Sequence, residues 1–242
     1  MPAKLGQHFL QDIGTARKIV EYADVGSRDT VLEIGPGKGM LTEQLVKKAK
    51  KVIAIEKDSV LARVIADNFP DVAVIRADAL KIEWPEFDKI VSNLPYQISS
   101  PVTFKLFRHK WKAAVLMYQK EFGERFVAEP GERRYSRLTV AVNYHCDAEV
   151  LEFVPKEKFR PRPKVDSVII RLTPKKPPFV ADDFFWHVVT QLFRHKKKTV
   201  AAALKASKYS KKAIERLPEE LAKERVFWCD LKKLKSIADA MR

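Results

Sequence analysis

Glycine recurs at alternate positions in the stretch VLEIGPGKGMLTEQL, where it follows a short apolar run. The order is Glu33-x-Gly35-x-Gly37-x-Gly39, and glycine lets the backbone pass close to a ligand where a side chain would clash. Tight strand-to-helix turns need glycine in any case, so the turn alone is weak evidence. The order differs from the G-x-G-x-x-G of dinucleotide folds and lacks the Lys-Ser/Thr pair that cradles a triphosphate. It therefore favours a nucleotide-like ligand of another kind.

Acidic residues end the next two apolar runs. Glu56 comes 21 positions after Gly35, where a carboxylate can accept hydrogen bonds from both hydroxyls of a ribose. Asp78, in RADAL, has the corresponding place after the following run and can accept from an adenine amino group. An exposed carboxylate at a strand end is the alternative for Glu56. Together, a glycine turn, a ribose acid and a base acid favour S-adenosylmethionine over NAD, because a ligand without phosphates needs no anion cradle.

A fourth apolar run ends in Asn93-Leu94-Pro95-Tyr96, within VSNLPYQISS. An exocyclic aromatic amine is a poor nucleophile because its lone pair is delocalised into the ring. Hydrogen bonds to the Asn93 carboxamide oxygen and the Leu94 carbonyl would free that lone pair, while Pro95 fixes φ and donates no hydrogen bond. Tyr96 offers a face on which an extruded base can stack. The stretch predicts methyl transfer to a base amine, and a capped strand end followed by a turn is the alternative.

Short runs rich in Val and Ile alternate with helical stretches over the first part of the chain. The pattern is typical of parallel strands buried on both faces, and it predicts a doubly wound α/β sheet. The expected strands are 30–34, 51–56, 72–77, 89–93 and 113–118, and the expected helices are 40–48, 59–69 and 101–109. Asp58 is the expected N-cap of the second helix. Residues 166–174 predict a late strand that closes an edge of the sheet, and residues 136–146 suit a strand or a helix.

Charge and composition divide the chain near TPKKPPF, residues 173–179. We predict a catalytic domain over residues 1–175 and a helical, basic domain over residues 176–242. The whole chain carries 46 Lys and Arg against 31 Asp and Glu, a net charge of +15, which favours a polyanionic partner such as nucleic acid. Residues 175–242 alone hold 17 basic and 8 acidic residues.

Cellular location and metal content are predicted from cysteines and from apolar runs. Cys146 and Cys229 lie far apart without metal-ligand spacing, so we expect a reducing compartment and no metal site. The sequence shows no signal peptide and no run long enough to span a membrane. These features predict a cytoplasmic protein.

Seven stretches, in order and spacing, resemble the KsgA-type rRNA adenine dimethyltransferases over roughly residues 4–174. They are LGQHFLQD, LEIGPGKGMLTEQL, IAIEKD, RADAL, VSNLPYQISSP, QKEFGERFVAEPGERRYSRLTV and VPKEKFRPRPKVDSVIIRL. The resemblance implies a Rossmann-like, S-adenosylmethionine-dependent methyltransferase fold with a small all-helical C-terminal domain. It also implies dimethylation of two adjacent adenosines in the 3'-terminal hairpin of small-subunit rRNA. The expected enzyme is a monomer, and its expected partner is small-subunit rRNA or a pre-30S particle.

The same resemblance implies roles for particular residues. Tyr96 and Phe159 would flank the target adenine, and His8 would pack against the cofactor. Without the resemblance, Phe159 is better explained as a core aromatic beside two prolines. By analogy with the family, residues 136–146 would be helical. The implied cofactor contacts are Gln7, His8, Leu10, Gly35, Gly37, Glu56, Asp78 and Asn93.

Basic clusters predict where RNA phosphates bind. The candidates lie around Phe159, in the PGERRYSR loop and in RHKKK: Arg160, Arg162, Lys164, Arg133, Arg134, Arg137, Arg194, Lys196, Lys197 and Lys198. Such clusters are often simply solvated helix faces, so the contacts of the C-terminal domain are predicted from charge alone.

Two other functions are consistent with the same scaffold. One is an Erm-like large-subunit rRNA methyltransferase or a mitochondrial relative recruited to transcription, although the sequence shows no transit peptide. The other is a ribosome-assembly factor that grips rRNA and whose methylation is incidental.

Overall fold

The computed structural model describes residues 8–242 as two compact units. The first unit comprises the described residues up to Gly123 together with Asp147–Pro174, and the second comprises Glu124–Cys146 and Lys175–Arg242. The division at Pro174 lies one residue from the predicted boundary. Residues 124–146, by contrast, pack with the C-terminal helices, whereas the sequence-based division assigns them to the first domain.

The elements follow one another along the chain in this order: β1 (Phe9–Leu10), α1 (Ile13–Tyr22), β2 (Thr30–Ile34), α2 (Thr42–Val46), β3 (Lys51–Glu56), α3 (Ser59–Asn68), β4 (Ala73–Arg76), β5 (Lys89–Asn93), a 3₁₀ turn (Tyr96–Ile98), α4 (Ser99–Leu106), β6 (Ala113–Gln119), α5 (Lys120–Gly123), α6 (Arg137–His145), β7 (Cys146–Val154), a 3₁₀ turn (Lys156–Lys158), β8 (Phe159–Arg160), β9 (Ser167–Pro174), α7 (Asp183–Arg194), α8 (Val200–Ala206), α9 (Lys211–Ile214), α10 (Glu219–Lys223), a 3₁₀ turn (Val226–Trp228) and α11 (Leu231–Ala240).

The first unit is built on a sheet with strand order β4-β3-β2-β5-β6-β9-β7. The first five strands in this order are parallel, and β9 runs antiparallel to β6. The chain moves outward from β2 to β4 and then returns to β5 on the other side of β2, so the topological switch point lies between β2 and β5. The expected doubly wound sheet is present. The expected position of the late strand is wrong, because β7 lies outside β9 at the edge.

Local chemistry explains where these elements begin and end. Strands β2 and β3 are buried along nearly their whole length, and most of their residues are apolar, as parallel strands covered by helices require. Asp58 caps α3, as expected, by accepting hydrogen bonds from the backbone N–H groups of Val60 and Leu61 at 2.9 and 3.3 Å. This cap fixes the connection between β3 and α3 at the carboxyl edge of the sheet.

The second unit is helical around its own apolar core. Helix α6 buries Leu138, Val140 and Val142, and the amphipathic helix α7 buries Phe185 and Leu192. This resolves the ambiguity over residues 136–146: Arg137–His145 form a helix with Ser136 as its N-cap, and Cys146 begins β7. None of the helices formed by residues 8–242 is long and apolar enough to cross a membrane.

Candidate active site

A cavity of about 390 Å³ opens at the carboxyl ends of β2, β3 and β5, where doubly wound sheets bind their ligands. Most of the predicted cofactor and catalytic residues line it: His8, Leu10, Gly35, Gly37, Glu56, Asp78, Asn93, Leu94, Pro95 and Tyr96. Gln7 lies outside the described residues. The structure therefore brings together five stretches of sequence, four of which meet because they follow β2, β3, β4 and β5, neighbouring strands of the sheet.

The glycine turn after β2 is packed too tightly for any side chain. Gly35, Gly37 and Gly39 have φ values of +70°, +59° and +89°, which favour glycine. A Cβ on Gly35 would lie 2.9 Å from Cγ of Pro95, and one on Gly37 would lie 2.9 Å from the ring of Phe9. The turn is thus in direct contact with the Asn93-Leu94-Pro95-Tyr96 segment as well as with the cavity.

Glu56 lies at the end of β3 and is 6% exposed. Its carboxylate accepts hydrogen bonds from the backbone N–H groups of Asp58 at 2.9 Å and Gly37 at 3.4 Å. Burial raises its pKa, against these hydrogen bonds. A carboxylate that is desolvated and held in this way is suited to accept hydrogen bonds from hydroxyl groups, as predicted for a ribose.

Glu33 was not among the predicted site residues, although it also lines the cavity. Its side chain is 1% exposed and accepts a hydrogen bond from Thr42 Oγ1 at 2.7 Å. Burial raises its pKa to about 8, and the nearby Glu56 carboxylate adds to the shift. The signal in the sequence is an acidic residue inside the apolar run that precedes the glycines.

Asp78, which follows β4 and lines the cavity, is held in its ionised form. It accepts hydrogen bonds from Lys57 Nζ at 2.9 Å and from the Leu80 backbone N–H at 3.0 Å, and both lower its pKa. Lys57 and Lys38, the lysines among the lining residues, are both engaged, since Lys38 lies over the Phe9 ring. The cavity offers glycine backbone and carboxylate acceptors, which suit an uncharged ribose and an adenine amine.

Ser92 fixes the start of the Asn93-Leu94-Pro95-Tyr96 segment, and sequence reasoning missed it. Its hydroxyl accepts from the Ile34 N–H at 2.7 Å and donates to the Ile34 carbonyl at 2.8 Å. The ends of β2 and β5 are tied together by this pair. Asn93 follows directly, partly exposed at the cavity, and Leu94 is buried behind it.

Tyr96 is positioned by contacts on two sides. Its hydroxyl shares a hydrogen bond of 2.6 Å with Ser167 Oγ, at the start of β9, and burial raises its pKa. The ring of His8 lies 5.8 Å from the Tyr96 ring, tilted by 32°, and His8 Nδ1 is hydrogen-bonded to the Pro161 carbonyl at 2.7 Å. Tyr96 is thus a neutral ring in a defined orientation beside Asn93.

Phe159 is fully buried in the structure. It pairs with Leu10 in the short β1–β8 ribbon and belongs to the apolar core of the first unit. Leu10 lines the cavity, and Phe159 is absent from the described residues that do so. The location is that of the core aromatic, the alternative weighed from the sequence. A place beside the target adenine stays a prediction.

The predicted RNA-binding side chains differ in how far they are already engaged. Arg160 donates to the carbonyls of Glu157 and Phe159, and Arg162 pairs with Glu157. Lys196 donates to two carbonyls, at 2.9 Å each, which makes it a structural contact. All of the candidates except Lys196 are exposed. Three of the exposed arginines also have side-chain partners: Arg134 with Glu124, Arg137 with Thr190 and Arg194 with Gln191.

Comparisons with known proteins decide which family this site belongs to. The model for the ribosomal RNA adenine dimethylase family matches residues 2–227. A protein named probable ribosomal RNA small subunit methyltransferase A from Methanosarcina barkeri is 50% identical over 230 residues, covering 90% of this chain and 80% of that protein. This chain belongs to the ribosomal RNA adenine dimethylase family. The resemblance to KsgA-type enzymes is confirmed.

Solved structures of similar proteins confirm the fold. A dimethyladenosine transferase from Plasmodium falciparum is 34% identical and superposes with a TM-score of 0.82, covering 95% of each chain. The 23S rRNA methyltransferase ErmE is 27% identical with a TM-score of 0.70, covering 96% of this chain and 99% of that one. The protein is therefore an rRNA adenine dimethyltransferase with a Rossmann-like methyltransferase fold, and its methyl donor is S-adenosylmethionine.

Proposed function

We propose that this rRNA adenine dimethyltransferase modifies two adjacent adenosines in the 3'-terminal hairpin of small-subunit rRNA, converting each exocyclic amine to a dimethylamine. The observation that carries the proposal is the cavity at the switch point, where a glycine turn and Glu56 adjoin Asn93 and Tyr96. Relatives about 50% identical carry small-subunit names, which favours this substrate over the large-subunit rRNA named for the 27% identical ErmE.

The cofactor would be held by the carboxylate and glycine side of the cavity. Gly35 and Gly37 would admit it close to the backbone, Glu56 would accept hydrogen bonds from the ribose hydroxyls, and Asp78 would accept from the adenine amine after Lys57 moves aside. His8 and Leu10 would pack against it. When bound, S-adenosylmethionine supplies an electron-poor methyl group.

The chain's own residues would make the target amine nucleophilic. The Asn93 side-chain oxygen and the Leu94 carbonyl would accept hydrogen bonds from the two N–H groups of the extruded adenine's amine. These hydrogen bonds would localise the nitrogen lone pair. Tyr96 would stack on the base, an interaction worth about 1–3 kcal/mol. Each transfer forms one N–C bond, breaks one S–C bond and releases one proton to water.

A labelling experiment tests the proposal. Small-subunit and large-subunit rRNA, each free and within partly assembled subunits, are incubated with methyl-labelled cofactor, digested and mapped by mass spectrometry. We expect dimethyladenosine at two neighbouring positions of the small-subunit 3' hairpin. Asn93→Ala should lower this labelling at least tenfold while cofactor affinity, measured by calorimetry, changes less than threefold.

Other outcomes would contradict the proposal. Label in the large-subunit rRNA would assign the Erm-like function, and no label in either RNA would leave an assembly factor that binds rRNA.

Labelling of partly assembled particles but not of free rRNA would support the pre-30S particle as the substrate. That particle, a monomeric state and a cytoplasmic location stay predictions.

A further inference from the structure

Two basic segments far apart in sequence flank the same 3₁₀ turn of the second unit. The backbone N–H groups of Val226 and Phe227 donate to the carbonyls of Lys198 and Lys196, both at 3.1 Å. On the other side, the N–H of Gly131 donates to the Phe227 carbonyl at 2.7 Å. The PGERR loop (residues 130–134) and the RHKKK segment (residues 194–198) are therefore both fixed to the turn that carries Trp228.

The Lys196 side chain adds a direct connection between these segments. Its ammonium donates to the carbonyls of Arg133 and Tyr135, at 2.9 Å each, and desolvation lowers its pKa. The Lys196 ammonium therefore stabilises the loop through these two hydrogen bonds rather than pointing to solvent. The exposed basic side chains beside it are those of Arg133, Arg134, Lys197 and Lys198.

Trp228 lies in the 3₁₀ turn to which both basic segments are hydrogen-bonded through the backbone. The residue is 51% exposed, so part of its ring is accessible to a ligand. Gly131, with φ +97°, packs against its ring: a Cβ there would lie 2.4 Å from Cζ3. Gly131 therefore covers part of the ring, and the Phe227 ring lies 5.8 Å from it, tilted by 42°.

The charged residues near Trp228 indicate which kind of ligand its ring can bind. Arg134 keeps 57% of its side chain exposed although it pairs with Glu124 at 3.0 Å. Asp230, the acidic residue nearest in sequence, is engaged as the N-cap of α11. The two segments contribute the four exposed basic side chains named above and one acidic residue, Glu132. An exposed aromatic ring close to basic segments is an arrangement by which proteins bind unpaired nucleotides, through stacking on the base and charge on the phosphate.

We propose that Trp228 is a stacking platform for an unpaired RNA base, with Arg133, Arg134, Lys197 and Lys198 binding the adjoining phosphates. This site rests on the proposed function in that its RNA is the rRNA substrate. It extends that function by assigning the second unit a contact with a single-stranded segment, in addition to the nucleotide extruded at Tyr96.

Binding measurements without cofactor test the site separately from methylation. The probes are a fluorescently labelled 12-nucleotide unstructured RNA and a blunt duplex RNA of the same length. Trp228→Leu, which keeps an apolar side chain but removes the ring, should weaken binding of the unstructured RNA about tenfold. Trp228→Phe should stay within threefold of wild type. Neither variant should alter affinity for the duplex.

A matched control and the salt dependence sharpen the test. Phe153, in the first unit, is also 51% exposed, and Phe153→Leu should leave binding unchanged. Stacking releases no counterions, so Trp228→Leu should keep the slope of log affinity against log salt, whereas Arg133→Gln with Lys197→Gln should make the slope shallower by about 0.7 per phosphate lost.

Three results would overturn the proposal. They are wild-type affinity of Trp228→Leu for the unstructured RNA, equal losses in Trp228→Leu and Phe153→Leu, and equal losses on duplex and unstructured RNA. If wild type binds RNA through Trp228 but labels no small-subunit adenosine, the proposed function fails and this site stands.

Discussion

Single hydroxyl groups set the orientation of the proposed catalytic segment. Ser92 ties Asn93's strand to Ile34 through two hydrogen bonds, and Ser167 holds the hydroxyl of Tyr96. Both serines are fully buried, so their hydrogen bonds compete little with water and hold their partners firmly. The geometry of the site therefore depends on residues that carry no chemistry of their own.

The Tyr96–Ser167 hydrogen bond should contribute to turnover by orienting the ring. Tyr96→Phe and Ser167→Ala each remove this bond, and we expect each to lower kcat about fivefold, as befits roughly 1 kcal/mol. Because the variants remove the same interaction, the double variant should be no slower than either single one. Steady-state kinetics at saturating cofactor and RNA measure this, with calorimetric cofactor affinity as the control. Simple multiplication of the two losses would show that the residues act independently.

Glu33 should make stability depend on pH. Its pKa is about 8 in the folded state against 4.5 as the reference, so between these values the folded protein keeps a proton that the unfolded chain releases. The free energy of unfolding should therefore fall as pH rises from 5 to 8, by up to about 1.4 kcal/mol per pH unit from this group. Glu33→Gln should remove the contribution of this group to the pH dependence of stability.

Chemical denaturation of the cofactor-free protein at several pH values measures the effect of Glu33. Glutamine keeps an oxygen that accepts the Thr42 hydrogen bond, so the variant is matched in shape. The stability of Glu33→Gln relative to wild type should increase with pH. A constant difference between pH 5 and 8 would mean that Glu33 ionises normally in the folded state.

At the scale of elements, the glycine turn after β2 and the segment after β5 form one interlocked structure. Gly35 touches the Pro95 ring, and the Gly35 N–H donates to the Ile55 carbonyl at the end of β3 at 2.9 Å. Three strand ends therefore share one arrangement. A change in the cofactor turn should also displace the residues proposed to hold the target amine.

Gly35→Ala should reveal this interlocking. We expect it to lower the free energy of unfolding by about 2 kcal/mol, because a positive φ and a contact with Pro95 both oppose a Cβ. Pro95→Ala removes the contacted ring atoms, so it should recover part of the loss but not the cost of the positive φ. Gly26→Ala is the control, since a Cβ there meets its nearest atom, Asp29 Oδ2, at 3.7 Å. Fully additive effects of Gly35→Ala and Pro95→Ala would rule out the contact.

At the scale of the whole molecule, the second unit is discontinuous in sequence. Helix α6, inserted between β6 and β7, packs against α7 and α11. The Tyr135 hydroxyl also donates to the Cys229 carbonyl at 2.9 Å. The C-terminal helices are consequently needed to cover a segment that leaves and re-enters the first unit.

Truncation should expose that segment. A chain ending at Pro177 should unfold at a lower temperature than wild type and bind a hydrophobic dye, because Leu138, Val140 and Val142 lose their cover. The same truncation with residues 124–146 replaced by a Gly/Ser linker should bind less dye. Calorimetry and dye fluorescence measure both. An unchanged melting temperature without dye binding would show that α6 does not depend on the C-terminal helices.

The sequence by itself determined the elements and the local motifs. The buried strands, the N-cap at Asp58 and the glycine turn were predictable because each follows from neighbouring residues: apolar periodicity, a side chain that caps its own helix, and a backbone that requires positive φ. Placing Glu56, Asp78 and Asn93 at one cavity was also predictable, since the carboxyl ends of parallel strands meet at one edge.

Only the tertiary structure decided the contacts between distant residues. Ser167 finds Tyr96 across 71 positions of sequence, Phe159 is buried by its pairing with Leu10, and residues 124–146 join helices that follow residue 175. Likewise, Lys196 resembles its basic neighbours in sequence, but its side chain is hydrogen-bonded to two backbone carbonyls of the loop. Such partners cannot be read locally, because burial and hydrogen bonding depend on which surfaces the fold brings together, and many pairings satisfy the same local pattern.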